Sequence, residues 1–363
     1  MMGNTMNLKQ VPKLPEKTLP IVIIGAGGIV KEAHLPAYIL AGFSIQGIFD
    51  IDFKKAYNLK DSFGIIGDVY DTLENAISKG QENQAVFDLA VPAANIAQIL
   101  NQLPDSAAVL IQKPMGEDLQ QAKDILEVCR RKQLVSAVNF QLRSAPYMIA
   151  AKDMIDQGLI GEVYDMEVLV NVFTPWHLWD FLYDLPRVEI LYHSIHYLDL
   201  VRSFLGNPKK VYASTLKHPK MSELASTRST MILDYDEYTQ ARIITNHGHE
   251  YGKEKQQSYV KFEGTKGAIK IKIGVSLDYP IGEPPTFEYF LLGQESAKWK
   301  EIPLLGGWFP HAFIGTMASL QNHFINPSQP LLNSTEDAFV TMQLVELMYR
   351  SSAEGGMNFI IIE

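Results

Sequence analysis

The segment IVIIGAGGIVKEAHLP, Ile21 to Pro36, constrains the fold more than any other stretch of the chain. A short apolar run leads into Gly25, Gly27 and Gly28, and the residues after them open a helix. Strand, glycine turn and helix in that order form the entry to a doubly wound α/β sheet. Gly25 permits the tight turn, and Gly27 lets the backbone approach a pyrophosphate whose charge the helix N-terminus favours. Ile29 and Val30 complete the expected loop contacts. Val30 stands where the fingerprint has a third Gly or Ala, so the helix is expected to sit slightly farther from the strand.

The next strand-like run, IQGIFD, ends on Asp50. An acid at that point accepts hydrogen bonds from both hydroxyls of an adenosine ribose and repels a 2′-phosphate, so NAD is expected, with NADP as the lesser possibility because Lys54 and Lys55 follow closely. Ile51, together with Val91, Pro92 and Asn95 at the end of the AVFDLAV run and Gln112 and Lys113 at the end of the AAVLIQK run, joins the expected cofactor contacts.

From Pro20 to Leu142 short apolar runs alternate with helical patterns, as in a parallel sheet covered by helices; AAVLIQK and VSAVNF are the last two strands. Between them EDLQQAKDILEVCRRKQ puts Leu119, Ala122, Leu126 and Cys129 on one helical face, so Cys129 is a small core residue rather than a nucleophile. After Arg143 a helix, YMIAAKDMIDQGLIG, leads into EVYDMEVLVNVF, and then come STMILDYD, YTQARIITN, SYVKFEG and AIKIKIG. Clustered strands of this kind predict an antiparallel or mixed sheet, with EGTKG as a hairpin turn. A helix capped by Ser334 or Thr335 runs to the late glycines, and FIIIE is expected as a last strand. The chain therefore divides into an arm (1–19), a dinucleotide-binding domain (20–142) and a second domain (143–363), in keeping with a length of 363 residues.

Bulk properties exclude several classes. A net charge of -9 with scattered Lys and Arg gives no footprint for nucleic acid. One cysteine rules out a disulfide framework and a cysteine-based zinc site, and fits a reducing compartment, so the cytoplasm is expected. The opening residues lack the apolar stretch of a signal peptide, and no run is long enough for a membrane helix.

Lys113, before Pro114 at the C-terminal end of a strand, lies on the edge where doubly wound sheets bind ligands; it either polarises a substrate oxygen or is a surface lysine at a turn. The glycine loop with AHLPA, then QKP, QGLIGEV, HSIHYLDLVRSFLG, EGTKGAI and YRSSAEGG, in this order, resembles the Gfo/Idh/MocA family of oxidoreductases over nearly the whole chain after the arm. The resemblance implies an N-terminal Rossmann domain and a C-terminal α/β domain with a large open, mainly antiparallel sheet that mediates oligomerisation, giving a homodimer or homotetramer. It also implies an NAD(P)-dependent dehydrogenase of sugars, polyols or related acids. The family's Glu-Lys-Pro motif falls on Gln112, Lys113 and Pro114, and its Asp-x-Gly-x-His motif on Tyr192 to His196, so the lysine and the histidine carry over while the aspartate becomes Tyr192.

On that resemblance His196 is the expected proton acceptor, Lys113 the stabiliser of a developing alkoxide, and Tyr192 or His193 the rest of the proton path. Tyr192 and His196 are one helical turn apart and are expected to face the crevice together. Trp176, His177 and Trp179, in FTPWHLWDF, either face a sugar ring or pack between domains or subunits. Arg187 and Glu189 either recognise hydroxyls or a carboxylate or pair with each other. His34 is expected to cap or pack near the glycine loop, and His247 and His249 to be solvated loop residues. His193 and His196 alone do not make a metal site, and none is expected. The competing readings are a dihydrodiol-type dehydrogenase, a catalytically silent dinucleotide sensor, and a glycosidase that uses NAD transiently.

Overall fold

In a computed structural model of the chain, the described residues are 6–279, 281–294 and 297–355. Strands β1 (Ile21–Ile24), β2 (Ile45–Phe49), β3 (Asp68–Tyr70), β4 (Val86–Leu89), β5 (Ala108–Ile111) and β6 (Val135–Val138) form one sheet in the order β3-β2-β1-β4-β5-β6. Every pairing in it is parallel. β1, β4 and β5 are buried at every position, which is why their sequences read as unbroken apolar runs apart from Asp88. The order reverses between β1 and β4, so the crevice for a ligand opens at the C-terminal ends of those strands. β3 was not legible as a strand: it is a three-residue edge strand in which only Tyr70 is buried.

The helix Leu119–Arg131 is capped by Asp118, whose carboxylate accepts from Gln121 N at 2.8 Å. It buries Ala122, Ile125, Leu126, Val128 and Cys129. Burial pushes the Cys129 thiol up to about 11, as suits a core residue.

A second sheet of eight strands comprises β7 (Val163–Asn171), β8 (Lys210–Leu216), β9 (Arg228–Asp234), β10 (Gln240–Asn246), β11 (Gln257–Gly264), β12 (Gly267–Lys272), β13 (Thr286–Leu291) and β14 (Lys300–Ile302). Their order is β14-β13-β12-β11-β7-β10-β9-β8. All neighbours are antiparallel except β7 and β10, which run parallel at its centre. β7 buries Met166, Val168 and Val170 and leaves the intervening residues half-exposed, so one face is core and the other is open. The EGTKG segment is the β11–β12 hairpin, closed by the Gly264 and Gly267 pair. The expected strand FIIIE lies outside the described residues.

The helix Thr335–Glu354 is capped by Ser334, whose hydroxyl accepts from Asp337 N at 3.2 Å, and it ends at Gly355. It ties down one edge of each sheet. Just before it, Asn333 accepts from Val138 N at 2.8 Å and donates to Phe140 O at 2.9 Å, covering the β6 edge. Near its end, Ser351 and Ser352 accept the edge N–H groups of Ala213 and Thr215 on β8, at 3.0 and 2.9 Å. The β6 and β8 edges, which would otherwise invite pairing, are thus met within the chain.

A partly buried ion cluster locks the same helix to the segment between the sheets. Arg143 donates to Asp199 through Nε at 2.6 Å and Nη2 at 2.5 Å, and to Asp337 at 2.8 Å; Arg202 reaches Asp337 at 2.9 Å. The arm is docked: the Gln10 amide donates to Pro303 O and accepts from Leu305 N, both at 2.9 Å, and Leu8 is buried. Among the described residues no helix is long and apolar enough to cross a membrane.

Candidate active site

The glycine loop follows β1. Gly25 has φ +107°, and a Cβ on it would lie 2.2 Å from Ala90 O, so no other residue fits between β1 and β4 at this point. Gly27 and Gly28 are exposed, and a Cβ on either would meet nothing within 4 Å, so their backbone borders open space. Val30 is completely buried and turned into the core, clear of that space, at the start of a wide π-helical turn, Val30–His34. The Asp50 carboxylate accepts from Ala26 N at 2.7 Å and Asp52 N at 2.8 Å. Both bonds fix the acid beside the loop, and a carboxylate still has lone pairs left for a ribose. Ile51 next to it is 96% exposed, an apolar platform at the mouth. Val91 is half-buried, while Pro92 and Asn95 are exposed at the end of β4.

His34 packs beneath the loop in a sealed polar brace. Its Nδ1 meets Asp88 Oδ2 at 2.7 Å, Tyr38 donates to the same oxygen at 2.8 Å, and Asn139 reaches His34 Nε2 at 3.3 Å. Thr316 completes the chain by donating to Asn139 Oδ1 at 2.7 Å. Desolvation and the adjacent Asp88 carboxylate hold the Tyr38 phenol well above its ordinary value.

At the end of β5, Gln112 is buried with its Oε1 unpartnered. Lys113 follows, half-buried, and its Nζ donates to Tyr192 O at 2.7 Å. Burial lowers its ammonium to about 8. His196, in the helix Ile195–Leu205, is buried with Nδ1 unpartnered and its ring edge-on to Trp308 at 5.2 Å. Burial, then the Lys113 charge, holds it well below its ordinary value, so it is a neutral imidazole. His193 is likewise depressed by burial first and then by His247, His196 and Lys113. Lys113, His193 and His196 therefore share one electrostatic neighbourhood.

Tyr192 departs from the expected arrangement. Its carbonyl, not its hydroxyl, holds Lys113. Its phenol packs on Phe181 at 5.8 Å and is pushed up by burial and then by Glu117, with no lowering by Lys113. The π-helical turn Glu189–Ser194 precedes the helix, and it is His193 that shares the neighbourhood of His196.

Two expected substrate contacts are engaged elsewhere. Arg187 pairs with Glu346 at 2.5 Å and lies over the Tyr349 ring at 4.8 Å, not with Glu189. His177 is exposed and lines an outer groove with Lys220 and Glu250. Trp176 is buried, 5.1 Å from the His247 ring and 6.5 Å from His193, with its Nε1 unpartnered. Trp179 is half-buried against Tyr279 at 5.6 Å. These indoles roof the histidines through a small core with Leu182, Val188 and Leu224.

His247 corrects the expectation of a solvated loop residue. It is completely buried, its Nδ1 2.7 Å from Thr174 Oγ1 and its Nε2 3.4 Å from Glu189 Oε1. His249 is half-buried, with its Nδ1 3.1 Å from Asn171 Nδ2. Glu189 is also completely buried and accepts from Ser194 Oγ at 2.5 Å. Burial alone would raise its carboxyl, but hydrogen bonding and charge from His247, with help from Ser194 and Ser229, bring it below its ordinary value, so it is a carboxylate. One donor atom from each of Glu189, His193 and His247 lies within 4.8 Å of the other two.

A tight glycine beside open backbone, a fixed acid and a lysine at the mouth of a 3-2-1-4-5-6 sheet define a dinucleotide-dependent oxidoreductase fold. Residues 19–140 match the model described as "Oxidoreductase family, NAD-binding Rossmann fold", and residues 148–270 match the GFO/IDH/MocA C-terminal domain. The chain belongs to the Gfo/Idh/MocA family, and its first part is an NAD-binding Rossmann domain. It is 32% identical over 131 residues to YceM of Salmonella typhimurium, covering 36% of this chain and 41% of that one. It is 22% identical to an inositol 2-dehydrogenase/D-chiro-inositol 3-dehydrogenase of Lacticaseibacillus casei, over 58% of this chain and 63% of that one. These matches thus span less than two thirds of either relative. The fold is similar to that of a levoglucosan dehydrogenase in complex with NADH and levoglucosan, with a TM-score of 0.75 at 15% identity, covering 93% of this chain and 98% of that one.

Proposed function

We propose that the protein transfers hydride between NAD and a secondary hydroxyl of a sugar, polyol or sugar acid. The observation that carries this reading is Lys113 Nζ, from the first sheet, donating at 2.7 Å to Tyr192 O on the helical turn that bears His193 and leads directly into the helix of His196. The open backbone at Gly27 and Gly28, Asp50 and the unpartnered Gln112 Oε1 suit a bound dinucleotide, which supplies the hydride acceptor. His196 is neutral and accepts the hydroxyl proton; its Nδ1 is sealed in the protein, leaving Nε2 as the nitrogen for the substrate. The Lys113 ammonium, already donating to Tyr192 O, has further N–H groups to orient the hydroxyl and stabilise the alkoxide as charge develops. Trp176 and Trp179 exclude water and offer flat apolar faces to a ring substrate. The inositol dehydrogenase and the levoglucosan dehydrogenase named above support this substrate class.

The test uses purified protein with NAD and a panel of aldoses, inositols and uronic acids, read by the absorbance of reduced nicotinamide. Lys113→Met and His196→Asn should each lower kcat/KM by about 10²–10⁴ while NAD binding stays within a few-fold. Near-normal turnover in either variant overturns the assignment. Tyr192 in place of a carboxylate favours a second reading, a silent dinucleotide sensor, for which NAD would bind with no reduction across the whole panel.

A further inference from the structure

Among the described residues, one group of three donors has the composition of a transition-metal site: Glu189, His193 and His247. They come from two rigid elements. Glu189 and His193 stand on one helical turn, and His247 directly follows β10.

Three observations point to a ligand between them. First, Glu189 is completely buried, yet its Oε2 has no partner, and neither does the buried Nδ1 of His193. Buried polar atoms left without a partner cost about 1–3 kcal/mol each unless something occupies them. Second, the 3.4 Å between His247 Nε2 and Glu189 Oε1 is long for a charge-assisted hydrogen bond. It equals the separation of about 3.4 Å between two donors on one tetrahedral ion with bonds near 2.1 Å. Third, the donors are braced from outside: Thr174 Oγ1 sits at 2.7 Å on His247 Nδ1, and Ser194 Oγ donates at 2.5 Å to Glu189 Oε1. Outer hydrogen bonds of this type orient metal ligands.

We propose that Glu189, His193 and His247 bind one divalent transition-metal ion, zinc by donor preference, and leave a coordination position for an oxygen ligand. Two imidazoles and one carboxylate suit zinc far better than magnesium or calcium, which take oxygen donors. His193 adjoins Tyr192, whose carbonyl holds Lys113 Nζ at 2.7 Å, so the free position serves a second oxygen of the bound substrate or a water. Metal binding stands independently of the dehydrogenase reading.

The full chain, loaded with one equivalent of Zn²⁺ and dialysed against metal-free buffer, should retain one zinc per chain by elemental analysis. Co²⁺ in its place should give the intense visible bands of a low-coordinate imidazole site. Glu189→Gln and His247→Gln should each weaken Zn²⁺ binding at least tenfold in calorimetric titration. Thr174→Val, which keeps all three donors, should weaken it about tenfold. A folded wild-type protein that keeps no zinc and leaves Co²⁺ with its aqueous spectrum overturns the proposal, as does wild-type affinity in both ligand variants. Retained zinc without turnover on any substrate would instead count against the reaction proposed above.

Discussion

Replacing Lys113 by Met should make the apo protein more stable while lowering kcat/KM for the proposed reaction by about 10²–10⁴. The ammonium is held down from 10.5 to about 8 by burial alone. Converted at 1.36 kcal/mol per pH unit, the folded state carries a penalty of about 3 kcal/mol for keeping that charge. Methionine removes the charge and fills much of the same volume. It also deprives Tyr192 O of its donor at 2.7 Å, which returns about 1 kcal/mol. Lys113 is only half-buried by surface area, so solvent offsets part of the remainder, and the expected gain is ~1–2 kcal/mol. The sign of the pH dependence is fixed. Below pH 8 both folded and unfolded chains hold the proton and the penalty is fully present. Between about 8 and 10.5 the unfolded chain binds more protons than the folded one, so the wild type regains stability as pH rises. Urea unfolding of wild type and Lys113→Met at pH 7 and pH 10 measures both effects. The variant should lead at pH 7 and lose that lead at pH 10. A variant less stable at pH 7, or a difference independent of pH, would show that Lys113 is not a desolvated ammonium.

Three further outcomes are expected. If the Lys113 ammonium is required, kcat/KM should fall with rising pH above about 8, and the acid side should stay flat through pH 6.5 because His196 is neutral there; initial rates across pH 5.5–10 check both limbs. Asp50→Ala removes the acceptor for Ala26 N and Asp52 N and the charge that repels a 2′-phosphate, so NAD affinity should drop about tenfold or more while NADP affinity drops less, as read by fluorescence titration of both. Arg143→Met leaves Asp199 buried without its main partner and should cost about 3–5 kcal/mol in urea unfolding; a change under about 1 kcal/mol would mean that the cluster is hydrated and marginal.

The first sheet was legible because its central strands are buried on both faces and the glycines punctuate them, so β1, β4 and β5 stand out as apolar runs, with the less completely buried β2 and β6 beside them. The edges were not. β8 alternates half-buried and exposed residues along KVYASTL and gains its place by donating to Ser351 and Ser352 from a helix more than a hundred residues away. β14 has three residues, of which only Ile302 is buried. Edge strands of this kind carry too little hydrophobic signal to be recognised before their partners are known.

The candidate site shows where local patterns suffice and where they mislead. Counting back from His196 by one helical turn selects Tyr192, but counting by turns from Glu189 selects His193 and then His196, at i, i+4 and i+7. It is this second series that shares the buried histidine cluster with Lys113, and a buried Glu in its first place is the sign that the series faces inward. His247 was equally open to a period argument. Ala241, Ile243 and Thr245 are the inward residues of β10, and alternate spacing carries straight on to His247 one residue beyond the strand. The polar letters around it, NHGHE, hid that continuation. What no period could supply is the pairing itself, since Glu189 and His247 belong to elements brought together only by packing of the helical segment against the second sheet. A charged residue at an inward position of one element demands a polar partner from another, and that demand, applied to Glu189, points to His247 as the inward polar residue following β10.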